Sequence, residues 1–376
     1  MRGRRILITN HFLRGRTGSE LYVCELATNL LRRGHSPIVY SPQLGHTARE
    51  LRAATVPVVD NLDAIGSAPD LIHGQHHVET MSALLHFPST PAVFFCHGWL
   101  PFEETPPKHP RILRYVAVDD TCLDRLVSES GIAEERVEVI LNSVDLEQFL
   151  PRAPLPAQPA RALVFSNNAK ETTHLGAIRE ACRRRGLTVD VIGSDAGNVA
   201  SRPQDVLGQY DIVFAKGRCA LEAMAIGSVV IVCDFLGAGP MVTTSELDRL
   251  RRLNFGLRTQ RERLDADVLE KEIGRYDPTD AATVSQRIRS TAGRDSAIDQ
   301  IVATYEEVIS EFEAGGPRDH DAEGRAEAAY LCQLNQHYET ERNSILQSRT
   351  FVWRKRMLHL PVAGPVLRAI ARRFWE

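Results

Sequence analysis

The sequence predicts an α/β protein built from two doubly wound units joined by a proline-rich hinge, and three observations carry that reading. Short, nearly continuous apolar runs of strand length alternate with amphipathic helical stretches, the pattern of a parallel sheet covered on both faces. The alternation breaks at LPRAPLPAQPARA, where Pro151, Pro154, Pro156 and Pro159 crowd together, and such a run continues neither a helix nor a central strand. It then restarts with the same rhythm. The expected division is a first unit over 1–150, a hinge over 151–162, a second unit over 163–313, and a linker with a helical basic tail over 314–376.

RRILITN reads as the first strand, SELYVCELATNLLRRGH as a helix with apolar positions at Leu21, Cys24, Leu26 and Leu30, and SPIVYSP as the second strand, together one βαβ unit. PDLIHGQ, PAVFFCHG, RYVAVDD and RVEVILN follow as short buried strands, with TCLDRLVSESG a helix between the last two. Past the hinge come ALVFSNN as strand, THLGAIREACRRRG as helix, LTVDVIG and YDIVFAKG as strands, CALEAMAIG as helix and VVIVCD as strand. DSAIDQIVATYEEVISEFEA is an amphipathic helix expected to close the second unit, GGPRDHDAEG a polar linker, and 323–347 a further helix with Ala, Leu and Tyr on a packing face.

Composition bounds the function. A chain of 376 residues with 43% hydrophobic and 25% charged residues is an ordinary globular protein, which excludes disorder throughout. The net charge of -3 gives no general attraction to nucleic acid, and the two main units lack a basic stripe. Seven cysteines without a C-x-x-C pair are expected to be reduced residues of an intracellular protein. The opening apolar run is too short for a signal peptide, and no stretch is long enough to span a membrane. The expected place is the cytoplasm. From Arg349 to Glu376 there are seven arginines and lysines against one acid, with Trp353 and Trp375 among them. That segment suits either an anchor on the anionic inner face of a membrane or a helix docked on the protein.

Ligands of doubly wound sheets sit beyond the carboxyl ends of the strands, so the site is expected in a cleft between the units. NHFLRGRTGSELYV carries Gly15, Gly18 and Ser19 into a helix start, where free backbone amides and the helix dipole meet an anion. FAKGRCALEAMA repeats the arrangement, with Lys216 and Arg218 flanking Gly217 and Glu222 one turn into the helix. These residues read as a phosphate site with a carboxylate for ribose hydroxyls, or as solvated helix-cap charges. His73, His76 and His77 in HGQHH have short metal-ligand spacing, but no further ligand adjoins them, so no metal is expected. No G-x-x-x-x-G-K-S/T loop is present.

Taken in order, these motifs resemble the two-domain GT-B glycosyltransferases, most like family 4, over residues 1 to 313. TGSELYVCELATNLLRRGHSPIVYSP is similar to the family's opening loop and helix, HGW follows a buried strand, and ERVEVILNSVDLEQF is similar to the Asn-Gly-Val-Asp segment. LEAMAIGSVVIVCD matches the donor-site helix and strand; with its Lys-Gly-Arg elbow and the later NFG at Asn254–Gly256 it resembles a subgroup. The chain departs from the family at Thr17-Gly18 in place of a glycine pair, at Asn142-Ser143, at SNNAKET in place of Gly-Arg, and at Phe214, where the first of two glutamates usually stands. Since that glutamate addresses the sugar ring, the sugar stays open.

The resemblance implies two Rossmann-like domains facing a cleft. It also implies transfer of a sugar from a nucleotide-diphosphate sugar to an acceptor hydroxyl, with retention, without a metal, and with no cofactor beyond that co-substrate. It places His97 beside the transferred sugar and Gly18, Ser19, Asn167, Lys170, Lys216, Gly217, Arg218 and Glu222 around the donor. The acceptor is a glycan, a lipid-linked or a small molecule, as in cell-surface glycan or glycolipid synthesis. If the reaction inverts instead, Glu103, Glu104 and Asp119 are the candidate bases. Two further readings stay open: a sugar-nucleotide epimerase of the same fold, and a binding protein without turnover. The segments 46–68 and 99–110 are expected to shape the acceptor side.

Overall fold

The computed structural model describes residues 3–200 and 202–348; the basic tail expected over 349–376 lies outside the described residues. The chain divides into two compact units, a large one of Met1–Pro106 with Arg111–Gly316 and a small one of Pro107–Pro110 with the chain from Pro317.

The large unit holds both sheets. In its first lobe the elements run β1 (Arg5–Thr9), α1 (Gly18–Arg32), β2 (Ser36–Tyr40), α2 (His46–Ala53), β3 (Val58–Val59), β4 (Leu71–Gly74), α3 (His77–His86), β5 (Ala92–Cys96), β6 (Ile112–Ala117), α4 (Asp120–Asp124) and β7 (Val137–Val139). The strands pair in the order β3-β2-β1-β4-β5-β6-β7, all parallel. Ile6, Ile8, Val93, Phe95 and Val116 are fully buried beneath Val23, Leu26, Ala27 and Leu30 of α1, which is why the strands read as continuous apolar runs.

The second lobe runs β8 (Arg161–Phe165), α5 (Gly176–Arg184), β9 (Thr188–Ile192), α6 (Gln204–Leu207), β10 (Ile212–Ala215), α7 (Gly217–Ile226), β11 (Val229–Asp234), β12 (Gly237–Met241), α8 (Leu247–Arg252), α9 (Ala266–Ile273) and α10 (Pro278–Thr291). Its sheet order is β12-β11-β10-β8-β9. Only β12, which the sequence reading leaves unassigned, runs antiparallel, and its Pro240 is tolerated because the strand lies at the edge.

Helix α11 (Arg294–Ala314) corrects the sequence reading, which assigns it to the second unit. Its Ile298, Ile301, Tyr305, Val308 and Ile309 are buried in the core of the first lobe, among Ile8, Phe95 and Val116. Arginines of the first lobe, Arg4, Arg33 and Arg114, pair with Glu306, Asp295, Asp299 and Glu311 on its polar side. Apolar spacing announces that a helix is amphipathic, not which sheet its face meets.

The small unit carries α12 (His320–Gln347). It begins inside the segment read as linker, because Asp319 caps it by accepting the Ala322 N–H at 2.9 Å. Leu331 and Tyr338, expected on a packing face, are exposed.

Candidate active site

Strand order locates the site before any side chain is considered. The order reverses between β1 and β4 in the first lobe and between β8 and β10 in the second, and loops leaving such strands diverge into a crevice. Those loops lead to Gly18 and Ser19, and to Asn167, Lys216 and Arg218. Two cavities open there, of about 410 Å³ and 480 Å³, and His97, Arg218 and Asn254 line both.

Helix α7 forms one end of the larger cavity. Residues Ala220 to Ile226 are all buried, so its position is fixed by the core of the second lobe. No side chain caps its N-terminus, which leaves the positive end of the helix facing the cavity. Gly217 enters the helix at φ +54°, a conformation that disfavours a β-carbon, and its N–H meets the Phe255 carbonyl at 3.3 Å. Phe255 and Asn254 are themselves left-handed, at φ 49° and 52°. This strained turn brings Asn254 to both cavities.

Lys216 and Arg218 have different settings. Lys216 pairs with Asp234, which is fully buried, and lies 5.3 Å over the Phe235 ring. Beneath it Ser166 donates to Asp234 at 3.0 Å. Arg218 bridges the lobes. Its Nε donates to Glu222 Oε1 at 2.7 Å and its Nη1 to Glu25 Oε2, on α1, at 2.9 Å. Burial works against the guanidinium's charge, yet the two carboxylates hold its pKa up. Burial also raises the Glu222 carboxyl, against the pull of Arg218. Arg252 to Asp120 and Arg258 to Asp124 repeat the theme, each joining an arginine of the second lobe to an acid on α4.

His97 faces them from the end of β5. Burial lowers its pKa to about 4, so the imidazole is neutral at ordinary pH. Its ring stands edge-on to Tyr22 at 4.4 Å between centroids. Glu104 Oε2 accepts the N–H groups of His97 at 2.9 Å and Gly98 at 3.2 Å, and Arg125 donates to the carbonyls of Gly98 and Pro101. Burial raises the Glu104 carboxyl to about 7, against the pull of those amides and of Arg125. Asp119 caps α4 by accepting the Cys122 N–H at 2.7 Å, and burial raises its pKa.

The 480 Å³ cavity gathers His97, Asn167, Lys216, Gly217 and Arg218 of the sequence-derived set, and the 410 Å³ cavity gathers Gly18, Ser19, His97 and Arg218. Lys170 and Glu222 line neither. Lys170 pairs with Asp195 at 3.0 Å on the exposed surface, and Glu222 lies behind Arg218, only 5% exposed. At the start of α1, Glu20 accepts the N–H groups of Gly15 and Thr17 at 2.7 and 2.8 Å, which weakens that end as an anion site. Phe214 is fully buried in the sheet, so the position of the absent glutamate does not reach the ligand space. Of the HGQHH histidines, His73 Nδ1 lies 2.6 Å from the Tyr305 hydroxyl and His76 accepts the His11 N–H at 3.1 Å. Segment 46–68, expected on the acceptor side, lines neither cavity; Ala48 and Leu51 of α2 belong to the core. Sequence reasoning missed Tyr22, Glu25 and Arg294, whose places depend on contacts between distant segments, and it singled out Asn254 only within the NFG motif, without a role at the site. The one signal was Glu25, the only acid of α1 beyond its first turn.

The family model for Glycosyltransferase Family 4 matches residues 16–148. No curated protein sequence matches the chain. Among solved structures, a glycosyltransferase from Rickettsia africae superposes with a TM-score of 0.63 at 15% identity, over 82% of this chain and 99% of that one. HepE of Anabaena, in complex with UDP and glucose, gives 0.60 at 15% identity over 81% and 99%. The fold is GT-B. A Listeria monocytogenes protein assigned as a UDP-N-acetylglucosamine 2-epimerase is similar too, with a TM-score of 0.51 at 13% identity over 84% and 99%. The GT-B frame is thus shared by proteins described by different reactions, and the reaction is argued from the residues that line the cleft.

Proposed function

We propose that the protein is a glycosyltransferase that takes a nucleotide-diphosphate sugar in the 480 Å³ cavity and passes the sugar to an acceptor hydroxyl, with no metal and no further cofactor. One observation carries the reading. The uncapped positive end of α7, with Lys216, Gly217 and Arg218, opens into the same cavity that the neutral imidazole of His97 borders from the other lobe. The first arrangement suits a diphosphate; the second suits a sugar hydroxyl. HepE's UDP and glucose support such a donor.

In this reading the helix end stabilises the charge that grows on the departing diphosphate, Lys216 joins it by sharing Asp234, and His97 orients the sugar through a hydrogen bond. Gly18, Ser19 and Asn167 border the donor. Arg218 reaches it by sharing or leaving Glu25, Glu222 holds the arginine ready or accepts ribose hydroxyls, and Lys170 joins only by releasing Asp195. A carboxylate base is not required if the product retains configuration; Glu104 or Asp119 serves if it inverts. We place the enzyme in the cytoplasm, peripheral on the inner membrane face through 349–376, in cell-surface glycan or glycolipid synthesis. Two observations support that: the tail's basic and aromatic composition, and the lack of a membrane-crossing helix among the described residues.

The test is to incubate the full chain with UDP-, GDP-, ADP- and dTDP-sugars and cell extract, following products by mass spectrometry and NMR. The expected result is release of one nucleoside diphosphate with sugar appearing on an acceptor, at a rate about 100-fold lower in His97→Ala. Epimerised nucleotide sugar would move the assignment to an epimerase. No consumption of any donor would leave a binding protein.

A further inference from the structure

The 410 Å³ cavity is distinct from the donor space but shares His97 and Arg218 with it, so a group bound there lies within reach of the same histidine. Two buried polar atoms on its wall, Tyr22 Oη and His97 Nε2, have no hydrogen-bond partner among the described residues. Their rings are 4.4 Å apart between centroids. Buried polar groups in native structures are nearly always satisfied, so this adjacent pair marks a place that a polar ligand completes. A hydroxyl suits both, since it donates and accepts, and Leu26, Phe95, Ile298 and Ile301 offer apolar wall to the carbon face of a sugar ring.

Charge narrows the class. Glu25 and Glu104 line the cavity, and its two cations are both committed: Arg218 to Glu25 and Glu222, Arg294 to Asp145. Arg218 is held by Glu25 on the wall and by the buried Glu222 behind it, Arg294 with Asp145 leaves no net charge, and Glu104 adds a negative one when ionised. Arg125, behind the loop, donates to the carbonyls of Gly98 and Pro101. An entering phosphate or carboxylate would have to draw Arg218 from Glu25 and Glu222, or Arg294 from Asp145, on a wall that also carries Glu25 and Glu104, whereas an ammonium would be attracted.

We propose that this cavity is the acceptor subsite and that it takes a sugar end that is neutral or amine-bearing, excluding one that carries phosphate or carboxylate. The proposal rests on the glycosyl-transfer reading above. Its test uses saturation-transfer NMR on the full chain with methyl glucoside, methyl glucosaminide and methyl glucuronide as probes, beside a separate titration with nucleoside diphosphates. The expected result is saturation of the glucoside and glucosaminide but not the glucuronide. Tyr22→Phe should weaken the glucoside signal several-fold and Ala297→Phe, which fills the cavity from α11, should abolish it. Both variants should keep the wild-type melting temperature and nucleotide affinity. Equal or stronger saturation of the glucuronide, an unchanged glucoside signal in both variants, or no saturation of any probe would overturn the proposal. Failure of the wild type to bind any nucleotide would instead strike the glycosyl-transfer reading.

Discussion

Arg218→Ala removes the single cation between two carboxylates on different lobes. The Arg218, Glu25 and Glu222 side chains are 25%, 29% and 7% exposed. Breaking a fully buried pair costs about 3–5 kcal/mol and losing an exposed one about 0–1 kcal/mol. The Glu222 limb lies toward the buried limit and the Glu25 limb toward the exposed one. About 2 kcal/mol for the first and about 1 kcal/mol for the second give roughly 3 kcal/mol, or about 4 °C in melting temperature for a chain of this length. The loss should depend on pH. Burial already raises the Glu222 pKa in the folded state, and removing Arg218 raises it further. The folded variant then binds more protons than the unfolded chain above the ordinary glutamate pKa, so its stability falls as pH rises through that window. Thermal melts of wild type, Arg218→Ala, Glu222→Gln and Arg218→Met/Glu222→Gln at pH 5 and pH 8 test this. The single arginine variant should be hurt more at pH 8, and the double variant should recover part of the loss. A loss of less than about 0.5 kcal/mol, or a double variant no better than Arg218→Ala, would refute the bridge.

Three further outcomes are expected. Glu104 titrates near 7 when folded, against 4.5 ordinarily, so wild type should gain stability over Glu104→Gln as pH falls from 7 toward 5. The gain is about 3 kcal/mol at full protonation, measured by denaturant titration at each pH. Tyr305→Phe leaves the buried His73 Nδ1, now 2.6 Å from the Tyr305 hydroxyl, without that partner; a loss of about 1–3 kcal/mol is expected by the same method. Gly217→Ala meets only ordinary contact, Asn254 O at 3.9 Å, so its cost of about 1 kcal/mol should come from the left-handed backbone alone.

Much of the fold was legible because buried parallel strands are written as continuous apolar runs: ILIT, AVFFC, IVFA and VVIVCD all stand where their composition put them. What escaped were elements with another logic. GAGPM is a strand through edge pairing rather than propensity, and α11 looks like any amphipathic helix until its partner sheet is known. At the site, the elbow at Lys216–Arg218 was visible because glycine between two cations before a helix has a local physical meaning. Its partners were not. Glu25 is 193 positions from Arg218, and nothing in the local sequence at either end names the other. Phe214 shows the reverse case, where a departure from a motif was visible and its consequence, a side chain buried in the sheet, followed from strand register.

The proposed diphosphate site at the start of α7 is open to direct measurement. The most direct measurement is isothermal titration of the full chain with UDP, GDP, ADP and dTDP, repeated with Lys216→Ala. One nucleotide is expected to bind, with affinity reduced about tenfold or more in the variant, as for the loss of one charge-assisted contact. Absence of binding by all four, or equal affinity in wild type and Lys216→Ala, would contradict the proposed site.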